Sequence, residues 1–397
     1  MTVPKAVIFL GGSATEVELI QTFRANGIRV VLVDRNADVP GREFADEFIH
    51  SSVIDADEIL RGLDAFRSRY SFVAAYGIVD FMFGTVQVLT ARLGITLNPP
   101  ELYQEFTNKL KTKARLERFD VPAPQTLVQG RKFDESTLRV IAAASRSGTV
   151  VVKPDDACNS EGVRIVRVDQ VDCMRQAIGH AIEVSGAFFC EEHVRGALHN
   201  LDVILTAGNV TIVAITDRYR MADGLTSVAG FQQDPRRHPL YPQFTKLATK
   251  IREMFADYSG PLTADVLASG GDLKVLEISP HLHASKLQWL RDPRILSVWP
   301  RVLAGHAPEL PSPGENASAY VRIYSASDTY LDYFEPSWIA DLEAFPVPLQ
   351  FGSHALRKIL YLKGPAQLKQ QLEAFVRENG GLPTMTQSHQ PDLAASP

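Results

Sequence analysis

Two carboxylates, Asp265 and Glu277, lie on either side of a glycine turn in the segment 262–283. The stretches on both sides of Gly271 are β-prone, and a short loop that starts with glycine is a common hairpin connection. Pairing about Gly271 sets Asp265 opposite Glu277, and like charges so placed destabilise a hairpin. We expect no lysine or arginine on that face, so the pair needs a shared proton or a cation. Two carboxylates with a third oxygen suit Mg²⁺, and a solvated hairpin with splayed acids is the alternative.

Two lysines and a polar loop supply complementary groups. Lys109 lies on a predicted helix over roughly 100–119, and Lys153 ends an apolar strand before the loop 155–162. Lysines neutralise phosphate charge, loop N–H groups bind phosphate oxygens, and paired carboxylates hold Mg²⁺. The ordered set therefore suits a nucleoside triphosphate, although each lysine alone is more typical of a surface charge. The sequence has neither a GxxxxGK[ST] P-loop nor the HRD and DFG motifs of protein kinases.

Composition limits the class of protein. The chain has 397 residues, enough for two or three domains, with 45% hydrophobic and 22% charged residues. A net charge of −5 without a basic run argues against nucleic-acid and anionic-membrane partners. No apolar stretch has the length of a membrane span, and the start lacks a signal-peptide pattern. The three cysteines lack CxxC spacing and indicate reduced thiols, so we expect a cytoplasmic protein.

The predicted elements divide the chain into six parts. The first is a β-α-β unit whose turn, Gly11-Gly12-Ser13, is followed by a strand that ends at Asp34. The turn sequence GGSATE departs from GxGxxG, which argues against NAD binding. Residues 217–239 are predicted to form a long polar loop, of a kind that is usually functional. The predicted parts are a Rossmann-like domain (1–99), a linker helix and connector (100–124), the main domain (125–307), a Pro-rich linker (308–316), a C-terminal α/β lid segment (317–382) and a disordered tail (383–397).

Four stretches resemble the motifs of the ATP-grasp superfamily over roughly residues 1–310. They are NKLKTKARLERFDVPAP, VVVKPDDACNSEGV, FFCEEHVRG and ADVLASGGDLKVLEISPHLH. The resemblance implies an α/β fold with a Rossmann-like pre-ATP-grasp domain, the two α+β subdomains of an ATP-grasp fold and a small C-terminal segment. It also implies ATP and Mg²⁺ as cofactors. The site residues that it implies are Lys109, Lys153, Ser160, Glu161, Gly162, Glu191, Glu192 and Val194 for ATP, and Asp265, Glu277 and Ser279 for the metal.

The chain departs from the family pattern at three positions. Ser279 replaces the usual asparagine, His281 the following arginine, and Leu198 a later hinge glutamate. Candidates for holding a substrate carboxylate or the transferring phosphate are Arg218 and Arg220. His281 and His283 are candidates for replacing the arginine or for moving a proton. Structural hydrogen bonds are the alternative role of these four residues.

The resemblance implies a ligase that activates a small carboxylate as an acyl-phosphate and joins it to an amine, releasing ADP. A purine-pathway enzyme that acts on a ribonucleotide with formate or bicarbonate is the alternative, and it predicts substrate binding at Gly11, Gly12 and Ser13. A degenerate nucleotide-binding protein would bind ATP without turnover, and an oxidoreductase would bind NAD(H). We expect small-molecule substrates and a possible homodimer.

Overall fold

The computed structural model describes residues 3–157, 160–283, 285–324, 334–351, 354–379 and 381–382. The N-terminal part is a parallel sheet of order β3-β2-β1-β4 with helices packed against it. Its strands β1 and β2 are almost wholly buried, as apolar runs in parallel sheets are. The elements are β1 (Lys5–Leu10), α1 (Val17–Ala25), β2 (Arg29–Asp34), β3 (Glu47–His50), α2 (Ala56–Leu63), β4 (Ser71–Gly77) and α3 (Phe83–Leu93).

Two short helices lead from this sheet into a small antiparallel one. The helix predicted over 100–119 is broken at Asn108, whose extended backbone and side chain cap the second helix. The small sheet has the order β5-β8-β6-β7. The elements are α4 (Leu102–Thr107), α5 (Lys109–Arg118), β5 (Thr126–Gly130), α6 (Glu135–Ala144), β6 (Thr149–Pro154), β7 (Arg164–Arg167), α7 (Val171–Ser185) and β8 (Phe188–Glu192).

The rest of the described chain forms a large sheet with the main path β13-β12-β9-β10-β11-β14-β16-β15 and β17 beside β10. Strands β14 to β16 belong to the segment 317–382, and β14 pairs with β11, so this segment extends the large sheet. The elements are β9 (Ala197–Thr206), β10 (Asn209–Met221), β11 (Ser227–Gln232), α8 (Tyr241–Met254), β12 (Gly260–Ser269), β13 (Asp272–Ser279), α9 (Ser285–Arg291), α10 (Val298–Ala304), β14 (Ala317–Ile323), β15 (Ile339–Phe351), β16 (His354–Gly364), α11 (Leu368–Glu378) and β17 (Gly381–Leu382).

Two local predictions had opposite outcomes. The hairpin of β12 and β13 is confirmed, with Asp265 directly opposite Glu277. The long polar loop over 217–239 is wrong, because β10 continues to Met221 and β11 returns as far as Gln232. The predicted tail over 383–397 lies outside the described residues. None of the helices in the described part of the chain combines the length and the apolar character needed to cross a membrane.

Candidate active site

The acidic hairpin lies beside cations that come from other elements. Asp265 pairs in register with Asn200 on β9 and accepts a hydrogen bond from its amide. The Nζ of Lys109, the first residue of α5, lies 2.6 Å from Oε1 of Glu277. The expectation of a hairpin face without a cation is wrong, because a bulge at Leu276 sets Lys274 opposite Leu267 on that face. Its Nζ lies 2.6 Å from Oε1 of Glu192, and Lys109 relieves the repulsion between the acids from across the cleft.

Burial and charge oppose each other at these carboxyl groups. Burial raises the pKa of Asp265; the guanidinium of Arg218 lowers it, Glu277 raises it further, and the net pKa is above the usual value. Burial also raises the pKa of Asp80, but the neighbouring His281 and Ser279 outweigh this effect, and the net pKa is lowered. Asp265 is therefore a carboxylate whose negative charge an added cation would stabilise.

A second pair of lysines shares one carboxylate. The Nζ of Lys113 lies 2.6 Å from Oε2 of Glu191, and Lys153 forms an ion pair with Oε1 of the same side chain. Glu191 is only 1% exposed, and the lysines outweigh the effect of burial, so the pKa of its carboxyl is lowered. Both ammonium groups also lie 5.9 Å from the centre of the Phe189 ring. The side chain of Glu191 is therefore engaged by the lysines rather than left open for an adenine or ribose.

The polar loop after β6 approaches Lys109 from the other side. The backbone N–H of Lys109 donates to the carbonyl of Asp155, and its Nζ donates to the carbonyl of Ala157 at 2.6 Å. Gly162 has a φ of +70°, and a Cβ there would lie 3.2 Å from Pro154. Glycine is thus required where the loop turns back to β7.

Two arginines of β10 face the cleft without a carboxylate partner. Arg218 donates to the Asn200 side chain at 2.7 Å, and Arg220 donates to the carbonyl oxygens of Gly224 and Gly196 at 2.7 and 3.2 Å. Within the described residues neither guanidinium forms an ion pair. Such cations favour an anionic ligand.

One cleft with about 1020 Å³ of empty space, part of which opens to solvent, collects most of the predicted residues. Apolar side chains such as Val151, Ile165 and Leu276 form part of its wall, as is usual for small-molecule sites. The predicted residues that line it are Lys109, Lys153, Ser160, Glu161, Glu191, Glu192, Val194, Arg218, Arg220, Asp265 and Glu277.

The remaining predicted residues are not among those that line the cleft. Ser279 is buried near Asp80, and His281 stacks on Phe83 of the N-terminal part with its Nε2 3.7 Å from Asp80. His283 donates its backbone N–H to Asp202. These three residues therefore have structural contacts outside the cleft wall.

The glycine turn of the N-terminal part is closed by its own hydrogen bonds. Gly11 donates to the carbonyl of Val33, and Gly12 donates to a carboxylate oxygen of Asp34 at 3.0 Å. Ser13 donates to the side chain of Glu16. A carboxylate on the Gly12 amide opposes the binding of a phosphate at this turn.

Sequence reasoning missed three residues of the site. Asp80 follows β4 at the carboxyl end of the parallel sheet, where α/β folds place ligand-binding groups, so its position was a usable signal. Lys113 lies four residues after Lys109 on α5, a spacing that sets both on one helix face. Asn200 lies inside a mostly apolar strand, and only its pairing with β12 reveals it.

A separate buried cluster surrounds Asp217, the neighbour of Arg218 on β10. His199 and His238 lie 2.9 and 3.0 Å from its Oδ1, and Lys369 of α11 lies 2.6 Å from its Oδ2. The three anionic and imidazole groups have the types that bind metals. However, Nδ1 of His238 accepts from the N–H of Leu240, so its Nε2 carries the proton and donates to Asp217. A hydrogen bond from His238 and an ion pair with Lys369 thus hold Asp217, and the ion pair fixes α11 to the large sheet. Neither ring nitrogen of His199 has a hydrogen-bond partner within the described residues.

The model of the ATP-grasp domain family matches residues 106–285, the span that carries the lysines, the loop and the acidic hairpin. This chain contains an ATP-grasp domain. The ATP-grasp domain thus includes α5, the small antiparallel sheet and the first five strands of the main path of the large sheet. No curated protein sequence matches the chain.

Solved structures share the fold over nearly the whole chain. N5-carboxyaminoimidazole synthetase from Staphylococcus aureus, complexed with ADP, has a TM-score of 0.72 at 15% identity over 94% of this chain and 98% of that chain. The biotin carboxylase domain of Hydrogenobacter thermophilus 2-oxoglutarate carboxylase, with MgADP, ADP and bicarbonate, has a TM-score of 0.70 at 16% identity over 95% and 90%. L-amino acid ligase from Bacillus licheniformis has a TM-score of 0.70 at 12% identity over 96% and 98%. The predicted fold class is confirmed over nearly the whole chain, and the ATP-grasp prediction is confirmed by the family model over residues 106–285.

Proposed function

We propose that the cleft binds ATP with Mg²⁺ and that the protein is an ADP-forming ligase, which joins a small-molecule carboxylate to an amine. The observation that carries this proposal is the meeting of three charged sets in one cleft. These are the carboxylates Asp265 and Glu277, the lysines Lys109 and Lys153, and the arginines of β10. Each set alone has a structural explanation, but together they supply what phosphoryl transfer to a carboxylate needs.

The donor set of the hairpin fits Mg²⁺. Asp265 and Glu277 offer hard oxygen ligands from opposed positions of two strands, and burial and Glu277 together disfavour the charged form of Asp265. When bound there, Mg²⁺ supplies charge neutralisation to the phosphates. Asp80 contributes a third carboxylate to the cleft wall, in place of the predicted Ser279.

The nucleotide is proposed to lie between the two sheets. Apolar side chains of β6, β7 and β13 flank the end of β8, where Glu192 and the backbone of Val194 line the cleft. Lys153 and the amide groups of the loop that contains Ser160, Glu161 and Gly162 would contact phosphates. Two solved structures of the same fold are complexes with ADP and MgADP, which supports nucleotide binding.

The acid to be activated is proposed to lie against Arg218 and Arg220. A guanidinium presents donors in a rigid fork that matches a carboxylate, and these two side chains lie beside Asp265 in the cleft. Orienting the acid toward the terminal phosphate, with water excluded by the surrounding walls, makes the attack effectively intramolecular. The same cations then stabilise negative charge on the carbonyl oxygen when the amine attacks.

A purine-type reaction is the second candidate. It is favoured by the N5-carboxyaminoimidazole synthetase fold, which spans 94% of this chain. The Gly12 amide, bonded to Asp34, does not favour it.

A homodimer is also proposed, with support from the dimer named for the 2-oxoglutarate carboxylase domain, and light scattering would test it.

The test is nucleotide hydrolysis with Mg²⁺ over a matrix of amino acids, small carboxylates and ribonucleotide amines with bicarbonate. We expect ADP and phosphate to appear only with a specific pair of acid and amine. Phosphate release with bicarbonate and an aminoimidazole ribonucleotide would select the purine-type candidate. Tight ATP binding without turnover across the matrix would contradict the ligase and favour a nucleotide-binding protein, and AMP with pyrophosphate would contradict the phosphoryl transfer.

A further inference from the structure

Three charges lie together, largely out of solvent, where α5 meets β8. Glu191 is 1% exposed, Lys113 is 9% exposed, and the side chain of Lys153 is 13% exposed. Glu191 and Lys153 line the cleft, whereas Lys113 does not and reaches Glu191 from behind. Its Nζ also donates to the carbonyl of Pro124 at 2.8 Å. The group therefore carries one excess positive charge, and the lysine behind it is fixed.

This arrangement bears on how Lys153 reaches a phosphate. To contact a nucleotide, Lys153 must weaken or leave its ion pair with Glu191. A buried carboxylate that loses its only partner is costly, because its charge is then neither solvated nor compensated. With Lys113 in place, Glu191 keeps one cationic partner at 2.6 Å after Lys153 moves.

We propose that Lys113 is a positioning residue, which retains Glu191 and so leaves Lys153 available to the phosphates. This inference rests on the proposed function, since it takes Lys153 as a phosphate contact. Lys113 touches neither nucleotide nor substrate and acts through the two side chains in front of it. A purely structural role, bracing α5 against the connector, is the competing explanation, and the two differ in what they predict for a ligand without phosphates.

The experiment is calorimetric binding of MgADP and of adenosine to four proteins and one control. The four are the wild type, Lys113→Met, Glu191→Gln and the double variant, and the control is Lys111→Met, an exposed position on the same helix. In Lys113→Met, Lys153 is the sole ion-pair partner of Glu191 within the described part of the chain, so MgADP should bind about tenfold more weakly. Adenosine should bind all four with the same affinity, because it places no phosphate at Lys153.

The double variant provides the decisive comparison. Replacing Glu191 by glutamine removes the carboxylate that would be stranded, so the double variant should bind MgADP within about threefold of the wild type. Glu191→Gln alone, which keeps both lysines, should bind at least as tightly as the wild type. This variant keeps the test informative if Lys113→Met does not fold.

Four results would overturn the inference while leaving the proposed function intact. Two concern Lys113→Met: unchanged MgADP binding, and an equal loss of adenosine and MgADP affinity. The other two are a double variant that binds MgADP no better than Lys113→Met, and weakened MgADP binding in Glu191→Gln. Failure of the wild type to bind MgADP would overturn the proposed function and the inference together.

Discussion

The ion pair between Lys109 and Glu277 joins a proposed phosphate contact to a proposed metal ligand. In the protein without nucleotide, the pair should therefore weaken the binding of a divalent cation. The pair is 2.6 Å long, and the two side chains are 17% and 33% exposed. Exposed ion pairs contribute ~0.2–1 kcal/mol, and breaking buried ones costs ~3–5 kcal/mol. Because this pair is intermediate in exposure, we assign it about 1.4 kcal/mol, which corresponds to a tenfold change in a binding constant. Removing the ammonium in Lys109→Gln should therefore raise the affinity of the nucleotide-free protein for a divalent cation by about tenfold.

The assay is electron paramagnetic resonance of Mn²⁺ bound to nucleotide-free protein, with Lys111→Gln as the exposed control. The same Lys109→Gln variant should bind MgADP more weakly, because it lacks a phosphate contact, so its two affinities change in opposite directions. Glu277→Gln should abolish the gain in Mn²⁺ affinity when combined with Lys109→Gln. Equal Mn²⁺ affinity in wild type and Lys109→Gln, or a gain that survives Glu277→Gln, would refute the reasoning.

The other predictions concern the remaining charged groups. Lys153→Ala should lower ATP-dependent turnover at least about a hundredfold, through loss of a charged phosphate contact, with the fold unchanged by circular dichroism; wild-type turnover would remove Lys153 from the site. Arg218→Lys should lower kcat/KM for the acid about a hundredfold and leave the KM for ATP unchanged, because lysine lacks the planar fork; equal effects on both substrates would contradict the assignment. Burial opposes ionisation of Asp217, but His199, His238 and Lys369 outweigh it and hold its pKa well below the usual value. Its stabilising effect is therefore present above the unfolded pKa of about 3.9 and is lost as pH falls through the lower folded pKa. Asp217→Asn should cost about 3 kcal/mol in urea unfolding at pH 7 and progressively less below pH ~3.9; a cost that grows on acidification would contradict this account.

The acidic hairpin could be predicted because its information is local. A glycine turn between two β-prone flanks predicts the hairpin, whereas the bulge at Leu276 that shifts the register and sets Asp265 opposite Glu277 is visible only in the structure. The cations that compensate the pair could not be predicted, because Lys109 and Arg218 come from other elements of the fold. Sequence spacing gives no distance between such elements.

The sequence of β10 and β11 predicts a loop for a physical reason. Residues 217–221 of β10 alternate between a buried back face and the cleft face, and the cleft face carries Arg218 and Arg220. A strand whose open face binds a polar ligand is polar in composition, so its pattern is close to that of a loop. The pairing of β10 with β11 and β9, which settles the matter, is visible only in the folded chain.

The most direct test of the central claim follows oxygen from the substrate acid. The acid of the pair that supports ADP release is labelled with ¹⁸O in its carboxylate and incubated with ATP, Mg²⁺ and the amine. Activation as an acyl-phosphate predicts that one labelled oxygen per turnover appears in the released phosphate, together with ADP. Unlabelled phosphate, or label in AMP with release of pyrophosphate, would contradict the account.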